Sequence, residues 1–234
     1  RVLCEVQPEL MPLLAPFDGI EVVAKGAALP FFDLHCPLMS LPLAFGTEPA
    51  TIPAGVPYLK APAARVVHWR DRLPPGSLRA GFVWSGSRAH KNDANRSIAL
   101  SRFEHLFAKL PFSCFGLQRE MRDADREVLQ RLPNLIDLGP ELSDFAETAA
   151  VISLLDVVVS VDTAVAHLAG ALGKPVVILL PHAADFRWMR DRDDTPWYGS
   201  AKLVRQPAFG DWDSAIGRLA DELRGIAGAK TGEA

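Results

Sequence analysis

The chain has 234 residues, 49% of them hydrophobic, and a net charge of −3 with both signs interspersed. That is enough apolar material for one or two cored domains, and the charge balance argues against a nucleic-acid partner or a membrane surface. No run of about eighteen apolar residues lacks a charge or a breaker, so no membrane span is expected. Cys4, Cys36 and Cys114 lie in apolar contexts without metal-ligand spacing and read as buried thiols in a reducing compartment, which places the chain in the cytoplasm.

In chain order, RVLCEVQPEL reads as a strand over residues 1–6 with Glu5 inside it, not as a signal peptide. A short helix is expected over residues 9–14, and strands over residues 20–23 and 31–36. A Pro- and Gly-rich stretch from Pro42 to Pro62 follows, and Leu73-Pro74-Pro75-Gly76 marks the expected domain boundary. Beyond it GFVWS (81–85) reads as a strand. A helix over residues 101–110 has a Ser101/Glu104 capping box, and a strand covers residues 112–117. A polar helix over 123–132, a short strand over 135–138 and a helix opened by Asp144 and Glu147 come next.

Residues 154–181, LLDVVVSVDTAVAHLAGALGKPVVILLP, are the most informative stretch. Val157–Val161 is short, β-branched and without polar alternation, so both its faces are expected to be covered. Ala164–Leu172 is a helix ended by Gly173 at a left-handed position, and Val176–Leu180 is a second buried strand, parallel to the first. A last strand near residues 202–204 and an amphipathic helix from Trp212 close the pattern, with a disordered tail over 226–234. Alternating strands and helices imply a Rossmann-like parallel sheet over residues 76–225, with a smaller, partial α/β domain over residues 1–75. No internal repeat is seen.

Asp162 and Thr163 fall at the carboxyl end of a strand and the amino end of a helix, where open α/β sheets bind anionic ligands. Thr163 and the N–H groups of Ala164 and Val165 can donate to a diphosphate, and His167 lies one turn on. The same residues would also serve as a plain helix cap and an interior histidine. A second loop, Trp84-Ser85-Gly86-Ser87-Arg88-Ala89-His90-Lys91-Asn92-Asp93, follows another strand. Ser85 and Ser87 can donate and Lys91 can neutralise charge; an ordinary solvated loop reads the same way. It is not a Walker A loop. Gln118 and Asp144 could line a nucleoside pocket or lie on surface loops. Asp33 and His35, two apart on an expected strand, share a face and could carry a general base. Arg187, Trp188 and Trp197 sit in a long charged loop that either borders a ligand or packs onto the domain.

These stretches, VSVDTAVAHLAGALGKPVVILL with WSGSRAHKND, DFRWMRDRDDTPWYGS and FFDLHCPLMSLPLAFGT, resemble the heptosyltransferase-like glycosyltransferases of family 9. The likeness is to the C-terminal domain, in the variant found behind tetratricopeptide repeats in larger bacterial proteins. The resemblance implies a GT-B-like fold, here with a complete C-terminal domain and a truncated N-terminal one. It implies a nucleotide-diphosphate sugar as substrate, its diphosphate on Ser87, Lys91, Asp162, Thr163 and Ala164, with His167 as the motif histidine and Gln118 beside the nucleoside. Transfer to a glycan or protein acceptor hydroxyl would be inverting and would need no cofactor; Asp191-Arg192-Asp193 carries a metal-type spacing by letter but reads as a solvated loop. The family's N-terminal Gly-rich turn with its acidic residue has no counterpart in residues 1–75, so the expectation is a fragment or reduced domain that binds a donor. The rivals are a non-catalytic binding or scaffold module beside repeats and another GT-B-shaped enzyme such as an epimerase.

Overall fold

The computed structural model describes residues 1–74 and 78–232. Two parallel strands, β1 (Val2–Val6) and β2 (Ile20–Ala24), are joined through a short helix α1 (Met11–Leu14). Another short helix, α2 (Leu41–Ala44), and a longer one, α3 (Ala63–Arg72), lead to the main sheet. In chain order that sheet contains β3 (Leu78–Val83), β4 (Phe112–Gly116), β5 (Leu135–Asp137), β6 (Val157–Val161), β7 (Val176–Leu180) and β8 (Ala201–Arg205). Their spatial order is β5-β4-β3-β6-β7-β8, and every pairing is parallel. The helices between are α4 (Asp93–Arg96), α5 (Glu104–Phe107), α6 (Asp123–Leu129), α7 (Phe145–Ser153) and α8 (Ala164–Ala171), with α9 (Trp212–Thr231) last.

The all-apolar strands are explained by cover on both faces. Val158 of β6 and Val176, Ile178 and Leu180 of β7 pack under α7, α8 and Trp69 of α3. Val157, Val159, Val161, Val177 and Leu179 point the other way, against Phe103, Phe107, Leu219 and Leu223. A period of two with both registers buried leaves no polar alternation in the sequence.

Several expectations need correction. Residues 31–36 form no strand: Pro30 and Pro37 remove ladder donors on either side, and the segment is exposed, Phe31 at 86% and Leu34 at 90%. Residues 100–107 are a 3₁₀ turn followed by α5, capped at Ala99 without a side-chain bond, so the Ser101/Glu104 box does not form. The disordered tail expected over residues 226–234 is instead helix through Thr231. Buried Leu223 and Ala227 carry the packed face of α9 across Gly225 and Gly228; residues 233–234 lie outside the described residues. Cys114 alone is a buried thiol, its pKa pushed up by burial to about 12, whereas Cys4 is half-buried and Cys36 exposed.

The expected boundary at residues 73–76 falls partly outside the described residues. On its N-terminal side, α3 packs against the main sheet's helix layer. Trp69 Nε1 donates to Glu147 Oε2 (2.6 Å), and Arg65 pairs with Asp144 (2.6 Å) and Glu147 (3.0 Å). Upstream, the N–H groups of Tyr58 and Leu59 both donate to the carbonyl of Ala171 at the end of α8 (3.0 and 3.2 Å).

Candidate functional site

The sheet reverses its winding direction between β3 and β6, and the loops leaving those two strands diverge over a cavity of about 650 Å³. Its floor is the β6–α8 turn. Ser160, wholly buried, donates its hydroxyl to the Val161 carbonyl (2.7 Å) and lies 2.9 Å from Thr163 Oγ1. Thr163 is the N-cap of α8 in extended conformation, yet its side chain makes no capping bond. Engaged with Ser160 behind it, the hydroxyl leaves the first turn of α8 without a side-chain cap. Thr163 and Ala164 line the cavity, so the positive end of the helix faces it.

The opposing wall comes from the loop after β3, and hydrogen bonds set its course. Ile98 N–H returns to the Trp84 carbonyl (2.8 Å), Gly86 N–H donates to Ser97 Oγ (3.0 Å), and Ser97 Oγ donates to Asp93 (2.7 Å). Asp93 also pairs with Arg122 (2.5 Å), while Trp84 Nε1 and Leu100 N–H both donate to Asp125 (3.0 and 2.9 Å). This bracing turns Arg96 inward, where its Nη1 donates to the carbonyl of Asp162 (2.6 Å). A Cβ on Gly86 would lie 2.5 Å from the Arg96 guanidinium, so glycine is what lets the cation nest there. No carboxylate pairs with Arg96 among the described residues, and its buried Nε has no partner.

His167 is held on three sides. Its Nδ1 lies 3.0 Å from Tyr198 Oη, its ring stacks on buried Trp188 (centroids 5.1 Å apart), and Nε2 faces Asp162 at 4.0 Å. Burial pushes the imidazole pKa below its ordinary value; Asp162 and Asp185 pull it up and Arg187 pulls it down. The Tyr198 hydroxyl is raised by burial and by the neighbouring Tyr58. Arg187 completes the rim, paired with Asp185 at 2.8 Å, and Trp197 Nε1 holds the Arg187 carbonyl (3.0 Å).

Of the sequence candidates, the structure brings Asp162, Thr163, Ala164 and His167 together around the cavity, with Val165 behind them in the first turn of α8. Ser87 and Lys91 are exposed at the tip of the 84–97 loop and do not line it; the bracing that brings Arg96 in carries the tip out. Ser85 is buried beneath, its N–H on Gln118 Oε1 (3.0 Å) and its hydroxyl without a partner. Gln118 is engaged at both ends of its amide, the nitrogen on the Glu120 carbonyl (3.1 Å), so it braces two loops, and it is not among the residues lining the cavity. Asp144 caps α7 through Glu147 N–H (2.8 Å) and binds Arg65, away from the cavity. Asp33 and His35 share no strand face; both are exposed and outside the cavity lining. Asp193 pairs with Lys202 and Asp194 with Arg192. Arg96 and Tyr198 were not singled out from sequence. Arg96 carried only the signal of a basic residue in a polar loop, and its contact is with a carbonyl 66 residues away.

The β6–α8 turn lies within a stretch that matches a family model. Residues 114–205 match the model of glycosyltransferase family 9 (heptosyltransferase). The matched stretch runs from β4 through β8 and includes Asp162, Thr163, His167, Arg187 and Tyr198, while the Arg96 loop precedes it. Protein FlbA of Caulobacter vibrioides is 27% identical over 183 residues, 73% of this chain and 29% of that protein. Among solved structures, that of E. coli ADP-heptose lps heptosyltransferase II superposes with a TM-score of 0.58 at 16% identity, over 78% of this chain and 57% of that one. The fold is therefore the GT-B-like architecture expected, with a Rossmann-like domain and a smaller N-terminal α/β unit. The chain spans well under two thirds of either relative's length.

Proposed function

We propose that the chain binds a nucleotide-diphosphate sugar as the donor side of a glycosyltransferase, the diphosphate lying between Arg96 and the amino end of α8. The observation that carries this is the pairing of an uncapped helix N-terminus with an arginine that has no carboxylate partner among the described residues, both facing one cavity at the sheet's switch point. The family match over residues 114–205 supports the same reading.

In the transfer, an acceptor oxygen bonds to the anomeric carbon, the bond from that carbon to the diphosphate oxygen breaks, and the acceptor proton passes to a base. Inversion follows from attack opposite the leaving group. This chain's contribution is to stabilise the negative charge on the departing diphosphate. Arg96 supplies a fixed cation, the N–H groups of Ala164 and Val165 supply donors, and His167 supplies a donor when protonated. No step calls on a metal. The acceptor, a glycan or protein hydroxyl, and a setting beside tetratricopeptide repeats in a cytoplasmic bacterial protein belong to the same proposal. A second reading, a binding module without transfer, is favoured by one observation: Asp33 and His35 lie outside the cavity lining.

Calorimetric titration with ADP, GDP and UDP tests the donor site. One nucleotide is expected to bind saturably, with Arg96→Ala weakening it about tenfold or more and Lys91→Ala by less than about threefold. Equal affinity in native chain and Arg96→Ala overturns the assignment. Sugar release or transfer from the matching nucleotide sugar separates the enzyme from the binding module.

A further inference from the structure

We propose that a small cavity beside the anion site takes the sugar ring of the donor. This rests on the donor-site reading above and names where the uncharged part of the ligand lies. The two cavities are neighbours, sharing Asn92, Pro181 and Ala183 in their walls. The smaller holds about 140 Å³, the space of about five waters at ~30 Å³ each, which is room for one ring and not for a whole nucleoside.

Its chemistry contrasts with its neighbour's. Among the described residues no charged side chain lines it; the polar groups are the amides of Asn92, Asn95 and Gln206, and the apolar surface includes Phe209 and Trp212. The amides are oriented rather than loose. Asn95 Nδ2 donates to Asn92 Oδ1 (2.7 Å), which leaves Asn95 Oδ1 as acceptor and Asn92 Nδ2 as donor. Gln206 Oε1 accepts the His182 N–H (3.1 Å), which leaves its amide nitrogen to donate. Hydroxyls both donate and accept, so a mixed amide set suits a polyhydroxylated ring. Phe209 is 75% exposed yet held against the His182 ring at 4.7 Å, and it presents an apolar surface to the ring's C–H face.

On the other flank of the sheet the turn beyond β4 is tightly packed. Gln118 fills the turn beyond β4, and a Cβ on Gly139 would lie 2.1 Å from the Gln118 carbonyl oxygen. The nucleoside diphosphate then occupies the 650 Å³ cavity, and the sugar passes to the β7–β8 side.

Asn95→Ala and Phe209→Ala test this, since both side chains are exposed and neither supports the core. Each variant is titrated with the diphosphate that the native chain binds and with the matching probe: ADP-glucose, GDP-mannose or UDP-N-acetylglucosamine. The expected result is a loss of about fivefold or more for the nucleotide sugar, with the diphosphate unchanged within about twofold. An equal loss for both ligands would put the nucleoside in the small cavity and overturn the proposal, as would no loss for either. A native chain that binds none of the three diphosphates overturns the donor-site reading, and this proposal with it.

Discussion

His167 shows how much one side chain's surroundings decide. Burial keeps its imidazole neutral near neutral pH, while a diphosphate at the α8 terminus would favour the imidazolium. Binding a nucleotide sugar should therefore take up a proton, and affinity should rise as pH falls toward the histidine's lowered folded value. A nucleotide sugar is the better probe, because its doubly esterified phosphates do not titrate in that range. His167→Gln should flatten the profile. Tyr198→Phe, which leaves Nδ1 without its partner at 3.0 Å, should shift it while leaving the fold intact. An unchanged profile in His167→Gln would remove the histidine from the site. For the fold itself the sign is opposite. A histidine whose folded pKa is lowered contributes stability that is present above about 6.5 and is lost as pH falls toward the folded value.

At the scale of elements, α8 is fixed at both ends by different means. Its amino end is open to the cavity; its carboxyl end closes through Gly173 at φ +67°, with Gly173 N–H on the Gly170 carbonyl and Lys174 N–H on that of Ala169. In the last turn, Gly170 also makes room for Tyr198, since a Cβ there would sit 2.3 Å from the tyrosine ring. Gly170→Ala should destabilise by about 1–3 kcal/mol in denaturant unfolding and displace the Tyr198 hydroxyl from His167. In α7, Asp144→Ala removes a helix cap and should cost about 1–2 kcal/mol while leaving nucleotide affinity unchanged; a loss of affinity would restore Asp144 to the site. Both helices were legible in the sequence through their apolar faces, the Asp144/Glu147 opening and the glycine stop. The region around residues 101–110 was not. Its apolar spacing fits a helix equally well, and only packing under the sheet divides it into a 3₁₀ turn and a short α-helix.

Across the molecule, cohesion is uneven. The six-stranded sheet is covered on both faces, whereas β1 and β2 form a two-stranded parallel pair whose strand residues are mostly exposed or half-buried. An isolated pair is marginally stable, so this unit depends on Leu13 and on α3 packed against the main domain. Amide hydrogen exchange is expected to be faster in β1 and β2 than in β6 and β7 by orders of magnitude. Equal protection would show the N-terminal unit to be as cooperative as the sheet. No helix among the described residues is long and apolar enough to cross a membrane.

The sequence by itself determined the β6–α8–β7 unit, because buried β-branched runs, a helix-forming stretch and a glycine stop are local properties. It also determined that Asp162 and Thr163 would stand at the carboxyl edge of a parallel sheet, since strand-helix alternation alone implies that edge. Tertiary structure decided which cation faces them. Lys91 and Arg96 are five positions apart in one polar loop, and nothing in their spacing favours either. The bonds from Trp84, Gly86 and Asp93 fold that loop so that Lys91 projects to solvent and Arg96 reaches the Asp162 carbonyl. The neutral cavity beside it likewise depends on segments more than one hundred residues apart, which only the closed fold brings into contact.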